Sequence, residues 1–167
     1  MKQYLIFSLC IIILTISSCN HKQNPLDLPQ NLEIIPSIDN STDIYFNYEY
    51  QVVVYLNTDK LNLHALSEVF EWAETKEKYS EIAFIFYLSG QDKEKIEREL
   101  NNYHFPFPVL YDPSGSFFQQ NKLDTVSLDN KNLLPFLVKK HQVQGLAQIG
   151  VTKHFQQQLE YLLNENK

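Results

Sequence analysis

Two short apolar runs, Val52–Leu56 and Ile82–Tyr87, constrain this chain more than any other feature in it. Both are rich in β-branched or aromatic residues and are bounded by polar residues. Neither alternates, which is the pattern of a strand buried on both faces. The stretch between them is long enough for one helix. Asn57, Thr58 or Asp59 can cap its first free N–H groups. Leu63, Leu66, Val69, Phe70 and Ala73 mark one buried face of a helix running to about Tyr79, with Trp72 and Ala65 off that stripe. No hairpin signal separates the two runs. Strand, helix, strand is therefore a βαβ unit, and its two strands are parallel.

The rest of the chain extends this unit. Asp92 to Asn101 reads as a charged helix with Ile96 and Leu100 turned inward. Phe105 to Gly115 is extended and ends in a turn, and Ser114 to Asn121 forms a short helix. Pro135–Val138 opens a third strand, Lys139–Gln142 is a hairpin turn without Gly or Asn, and Val143–Ile149 returns as a fourth. Thr152 to Asn164 closes the chain as an amphipathic helix with Phe155, Leu159, Leu162 and Leu163 on its buried side. The expected fold is a single α/β domain with a central four-stranded mixed sheet flanked by helices. A chain of 167 residues that is 44% hydrophobic can fill one such core.

The first residues bear on compartment. Met1-Lys2-Gln3 carries one positive charge, and Tyr4 to Ile16 is apolar except for Ser8 and Thr15. This is the pattern of a secretory signal peptide, too short and wrongly flanked for a spanning helix. The Ile16-Ser17-Ser18-Cys19 ending resembles the lipobox of bacterial lipoproteins. That resemblance implies cleavage before Cys19, diacylation of its sulfur and a further acyl chain on the new amino group. The expected organisation is a signal peptide over 1–18, a lipidated Cys19 with a Pro-containing tether over 19–43, and the folded domain over 44–167. Several acyl chains anchor stably where one does not. The residues after Cys19 lack an acidic cluster, which favours an outer-membrane anchor facing the periplasm. A formal charge of −6 argues against a nucleic-acid partner.

The element order, with three local matches, resembles the thioredoxin fold of envelope thiol–disulfide oxidoreductases and of the peroxiredoxin-like antioxidant family. Val52–Leu66 matches the strand, turn and helix start that carry the family's Cys-x-x-Cys motif. Phe107-Pro108-Val109-Leu110-Tyr111-Asp112-Pro113-Ser114-Gly115 is similar to the antioxidant family's "Pro-Val-Leu-x-Asp-Pro-x-Gly" segment. Leu134-Pro135-Phe136-Leu137-Val138 matches the family's proline before the third strand, which has a cis peptide bond there and faces the redox site. This alignment places Leu61 at the nucleophilic cysteine, His64 at the resolving one, and Lys60 where an aromatic residue is usual. The chain's two cysteines are Cys10, within the apolar signal run, and Cys19. A thiolate at a helix N-terminus works because N–H groups and the helix dipole lower its pKa. Leu61 offers nothing to ionise, so the family's redox chemistry does not carry over. Thr58 does stand three residues before Leu61, as in the peroxidatic pattern, but no cysteine follows it.

Other readings are weaker. His64 could be a base, a metal ligand or a binding group, but a lone His in an early helical turn is more often solvated or capping. His21, His104, His141 and His154 show no ligand spacing, so neither a metal nor a cofactor is expected. Glu68, Glu71 and Glu74 fit a wet helix face better than paired acids, and Lys139, Lys140 and His141 fit a solvated hairpin tip. The expected function is that of a redox-inactive, envelope-anchored lipoprotein binding an envelope protein or peptide on a surface formed by Leu61, His64, Leu134 and Pro135. The alternative is a thiol–disulfide oxidoreductase or peroxidase-like enzyme that uses a partner's thiol.

Overall fold

The computed structural model describes residues 25–67, 72–125, 127, 129–130 and 131–164. Its strands are β1 (Glu33–Ile35), β2 (Tyr50–Asn57), β3 (Ile82–Ser89), β4 (Val109–Tyr111), β5 (Leu133–Lys139) and β6 (Gln142–Leu146). Its helices are α1 (His64–Ser67), α2 (Trp72–Lys78), α3 (Lys93–Asn102), α4 (Ser116–Gln120) and α5 (Thr152–Asn164). The expected signal and lipidation segment, with Cys10 and Cys19, lies outside the described residues, as do Glu68, Val69, Phe70 and Glu71 of the expected long helix. Among the described residues no helix is long and apolar enough to cross a membrane.

The six strands form one mixed sheet in the order β1-β4-β3-β2-β5-β6. β2 and β3 are parallel over their full length, from Tyr50 opposite Ile82 to Asn57 opposite Ser89. That is the geometry the βαβ reading requires. β4 continues parallel to β3, and β5 runs antiparallel to β2. The sheet has six strands rather than the expected four because two short strands join it, β1 at the edge and β4 between β1 and β3. β1 pairs antiparallel with β4, and the Phe105–Gly115 segment contributes β4 itself.

Alternation along each strand sorts the core into two layers. On one face Val52, Val54, Leu56, Phe84, Phe86 and Leu88 pack with residues of α1, α2, α3 and α5. Trp72 is the hub of this layer. Its ring meets those of Phe84, Phe86, Phe105, Phe107 and Phe155 edge-on, with centroids 5.2 to 6.2 Å apart, a favoured aromatic geometry. Its indole N–H donates to the Leu66 carbonyl. The expected stripe is thus corrected: Trp72 and Thr75 are the buried residues of α2, with Tyr79 buried just beyond it, whereas Ala73 is exposed. The largest side chain sets the helix's rotation, since it buries the most area.

The other face carries Val53, Tyr55, Ile85, Tyr87, Leu134 and Phe136. α4 covers part of it through Phe117. Leu26, Leu28, Leu32, Ile44, Phe46 and Tyr48 cover much of the rest. The folded body therefore reaches back at least to Pro25, not to residue 44. A sheet apolar on both faces must be covered on both, and the widely spaced leucines of the supposed tether do this. Pro25 bridges Gln142, the Leu26 N–H donates to the His141 carbonyl at 3.0 Å, and Asp27 exchanges two hydrogen bonds with the Asn121 side chain.

The β5–β6 hairpin turns through Lys140 and His141, both left-handed with φ of 50° and 64°. Non-glycine residues pay for that conformation. The turn is held by the Lys140 N–H on the Glu49 carbonyl at 2.8 Å and by the Leu26 contact to His141.

Candidate functional site

β2 delivers the chain to the turn that the thioredoxin resemblance aligns with the family's Cys-x-x-Cys motif. The turn closes on itself. Asn57 takes the N–H groups of Lys60 and Leu61 on its carbonyl, at 3.2 and 2.9 Å, and that of Asp59 on its side-chain oxygen at 3.1 Å. Thr58 binds the Ser89 carbonyl twice, through its N–H at 2.6 Å and its hydroxyl at 3.0 Å. Asp59 accepts from the Gln91 N–H at 3.1 Å. The expected helix caps thus serve the turn and its junction with the end of β3. The neighbouring Gly90 has no room for a side chain: a Cβ there would sit 1.9 Å from the Thr58 hydroxyl oxygen.

The described helix begins only at His64. The Leu63 N–H just before it donates to the Glu99 carboxylate of α3 at 3.3 Å. In a thiol enzyme, amides at such a turn face a sulfur anion. Here the amides of Lys60, Leu61 and Leu63 bond to the protein itself. Leu61 is half-buried and packs on the helix-covered core layer. His64, also half-buried, has its ring 6.3 Å from that of Tyr103, tilted by 49°.

Of the four residues expected to share a surface, Leu134 and Pro135 are buried. Leu134 is 1% exposed and belongs to the opposite core layer. Pro135 is buried inside β5 opposite Val54 rather than standing before the strand. No peptide bond among the described residues is cis, so the family's cis-proline arrangement is absent at Pro135. The proline fits mid-sheet because its carbonyl accepts from the Ala147 N–H at 2.8 Å, just past the end of β6. The missing N–H would point to that same side, past the end of β6 and away from β2, so the pairing with β2 loses no donor. Leu61 and His64 remain accessible. Leu133, half-buried at this end of β5, packs on the same core layer as Leu61.

The second resembling segment is built around Asp112, a carboxylate with no exposure. Its two oxygens accept the N–H groups of Ser116 and Phe117 at 2.8 and 2.9 Å, and the Ser114 hydroxyl at 3.3 Å. Gly115 supplies the left-handed residue before α4, with φ of 67°. This seats Phe117 against Tyr87, with ring centroids 4.3 Å apart and nearly parallel. Tyr87 donates its hydroxyl to the Pro29 carbonyl at 3.1 Å. Burial, and after it the charges of Asp112 and Asp27, hold the Tyr87 phenol far above its ordinary range. Burial also raises Tyr55, against the opposing hydrogen bonds of Ser89 and Asn57. The Asp-Pro-x-Gly signal could have disclosed Asp112 as a cap. Nothing local announced Glu99 as the partner of Leu63, since that contact spans 36 positions.

A cleft of about 220 Å3 lies at the other end of the sheet, lined by residues including Tyr45, Tyr48, Phe84, Phe107 and Lys76. The Lys76 ammonium is held by the Pro106 carbonyl at 2.8 Å, above the Phe107 ring. Among the described residues no three His, Cys, Asp or Glu side chains converge to hold a metal ion.

Solved structures share this arrangement. A thiol:disulfide interchange protein of the thioredoxin family from Chlorobium tepidum superposes with a TM-score of 0.59 at 10% identity, covering 83% of this chain and 99% of that one. StoA from Bacillus subtilis gives 0.54 at 11% identity, covering 80% and 98%. A thioredoxin-like protein from Porphyromonas gingivalis gives 0.50 at 18% identity, covering 85% and 95%. No protein-family model matches the chain, and no curated protein does. The fold is thioredoxin-like. At these identities the likeness is one of fold, and the chemistry must be read from the residues present.

Proposed function

We propose that this chain is a lipid-anchored envelope protein whose thioredoxin-like domain binds a protein or peptide and performs no thiol chemistry of its own. One observation carries the reading. The turn after β2 keeps a compact, tightly bonded form, yet Leu61 and His64 occupy the two reactive places and the amide of Leu63 is taken by Glu99. Such a surface has an apolar side chain, an imidazole and a rigid backbone, which suits recognition rather than electron transfer. The surface comprises Leu61, His64 and the adjoining Leu133. Attachment through Cys19, with the outer membrane facing the periplasm as its place, belongs to the same proposal.

A photo-crosslinking residue in place of Leu61, introduced in intact cells, tests it. The expected result is one defined envelope polypeptide captured from this position and not from exposed Glu81, with capture lost when His64→Asp is added. Equal capture from both positions, or capture indifferent to His64→Asp, contradicts it.

A second reading is favoured by the thiol–disulfide interchange proteins among the structural neighbours. In it the domain is an oxidoreductase or peroxidase that borrows a partner's thiol. It predicts turnover that appears only when that partner is added.

A further inference from the structure

The described structure begins its contacts at Pro25, and these contacts are firm. Pro25 bridges Gln142, Leu26 is buried and bonded to His141, and Asp27 is bonded twice to Asn121. The chain therefore leaves the body beside the tip of the β5–β6 hairpin. Six Cα-to-Cα steps separate Cys19 from Pro25, and covalent geometry limits that reach to about 22 Å whatever the conformation. The leash is 20–24, far shorter than the tether the sequence suggested.

The hairpin tip and the Asn57–Leu66 turn lie at opposite ends of the sheet. Tyr50 pairs with Lys139 at one end, and Leu56 pairs with Leu133 at the other. β2 has eight residues between these ends, a length of about 23 Å, to which the turn adds more. A body inverted over a membrane, with the turn on the lipid, would lift Pro25 beyond the reach of its leash.

We infer that the end of the sheet carrying Lys140, His141 and the Tyr45–Tyr48 cleft is the membrane-proximal end, and that the Asn57–Leu66 turn is presented away from the bilayer. This rests on lipidation of Cys19 as proposed above. The constraint is covalent and not electrostatic. Lys139, Lys140 and His141 at this end are accompanied by Asp43, Glu49 and Glu81, and Lys140 is paired with Glu49 at 3.5 Å. The orientation should therefore survive salt, and it leaves the proposed recognition surface open to partners in the aqueous space.

The test uses the full-length lipidated protein in phosphatidylcholine vesicles containing a lipid with a nitroxide headgroup. Lys140→Cys and Lys60→Cys each carry a fluorophore on the introduced thiol, and His141→Cys is a second probe of the tip. The expected quenching is about threefold greater at the tip than at Lys60→Cys, unchanged by salt. A flexible insertion of about 20 residues between Asn24 and Pro25 should bring that ratio to about one. Equal quenching in the uninserted protein, or greater quenching at Lys60→Cys, overturns the orientation while lipidation stands. Failure of the protein to float with vesicles, with an unmodified Cys19 by mass, overturns the lipidation reading and the orientation with it.

Discussion

Two turns follow parallel strands of this sheet, and they have met different ends. The turn after β4 is organised by a buried carboxylate, with Asp112 accepting two backbone amides and a hydroxyl. The turn after β2 is organised by backbone carbonyls and short polar side chains, and it presents Leu61 where the thioredoxin resemblance implies sulfur. Both retain a fold signature. In the first, the signature residues hold the structure. In the second, Asn57, Thr58 and Asp59 hold the backbone, and the proposed reading gives Leu61 and His64 a role in recognition. The Pro-Val-Leu-x-Asp-Pro-x-Gly likeness is thus a statement about architecture and does not argue for peroxidase activity.

The difference can be broken experimentally, beginning at the first-named turn. Asp112→Ala strands several buried donors and should lower unfolding stability by about 3 kcal/mol in a denaturant titration. Asp112→Asn, which keeps one acceptor oxygen, should lose less. An equal loss in both would mean that the charge matters more than the cap. At the second turn, Gly90→Ala forces the Thr58 side chain to move and should cost about 2 kcal/mol. The added Thr58→Ala change, which removes the hydroxyl oxygen that the new methyl would strike, should recover part of that cost. Glu99→Ala frees the Leu63 amide to water and should cost only about 1 kcal/mol. A much larger loss there would show that the β2 turn depends on a carboxylate as the β4 turn does.

The smallest expected effect is in alkaline solution. The folded protein holds the Tyr87 proton more tightly than the unfolded chain does, chiefly through burial. The stabilisation is intact below about pH 10, the ordinary phenol value, and is lost as pH rises above it. Tyr87→Phe gives up the hydroxyl's bond to Pro29 at neutral pH but should show a shallower alkaline loss in a pH series of thermal melts. An unchanged slope would place the alkaline sensitivity elsewhere, with Tyr55 the next group to substitute.

Much of this was legible in the sequence because it depends on local pattern. β2, β3, α3 and α5 follow from apolar runs and from spacing, and the parallel pairing follows from the lack of a hairpin signal between Val52–Leu56 and Ile82–Tyr87. The coat formed by Leu26, Leu28 and Leu32 was not legible, because widely spaced apolar residues among prolines also describe a linker. Only the presence of a second apolar sheet face shows that they are needed. The grouping of Leu134 with Pro135 on one surface was avoidable: neighbours in a strand point to opposite faces. Asn57, Thr58 and Asp59 read in the sequence as helix caps, whereas they close the turn and join it to Ser89 and Gln91, which are distant in sequence.

The central claim is that the β2 turn recognises and does not react. The most direct test is reduction of insulin disulfides and turnover of hydrogen peroxide by the purified lipidated protein, supplied with dithiothreitol and no partner. The account predicts rates equal to those of the reductant alone, in the parent chain and in Leu61→Ser. Turnover above that background by the parent chain, abolished by Leu61→Ser or His64→Ala, would contradict it.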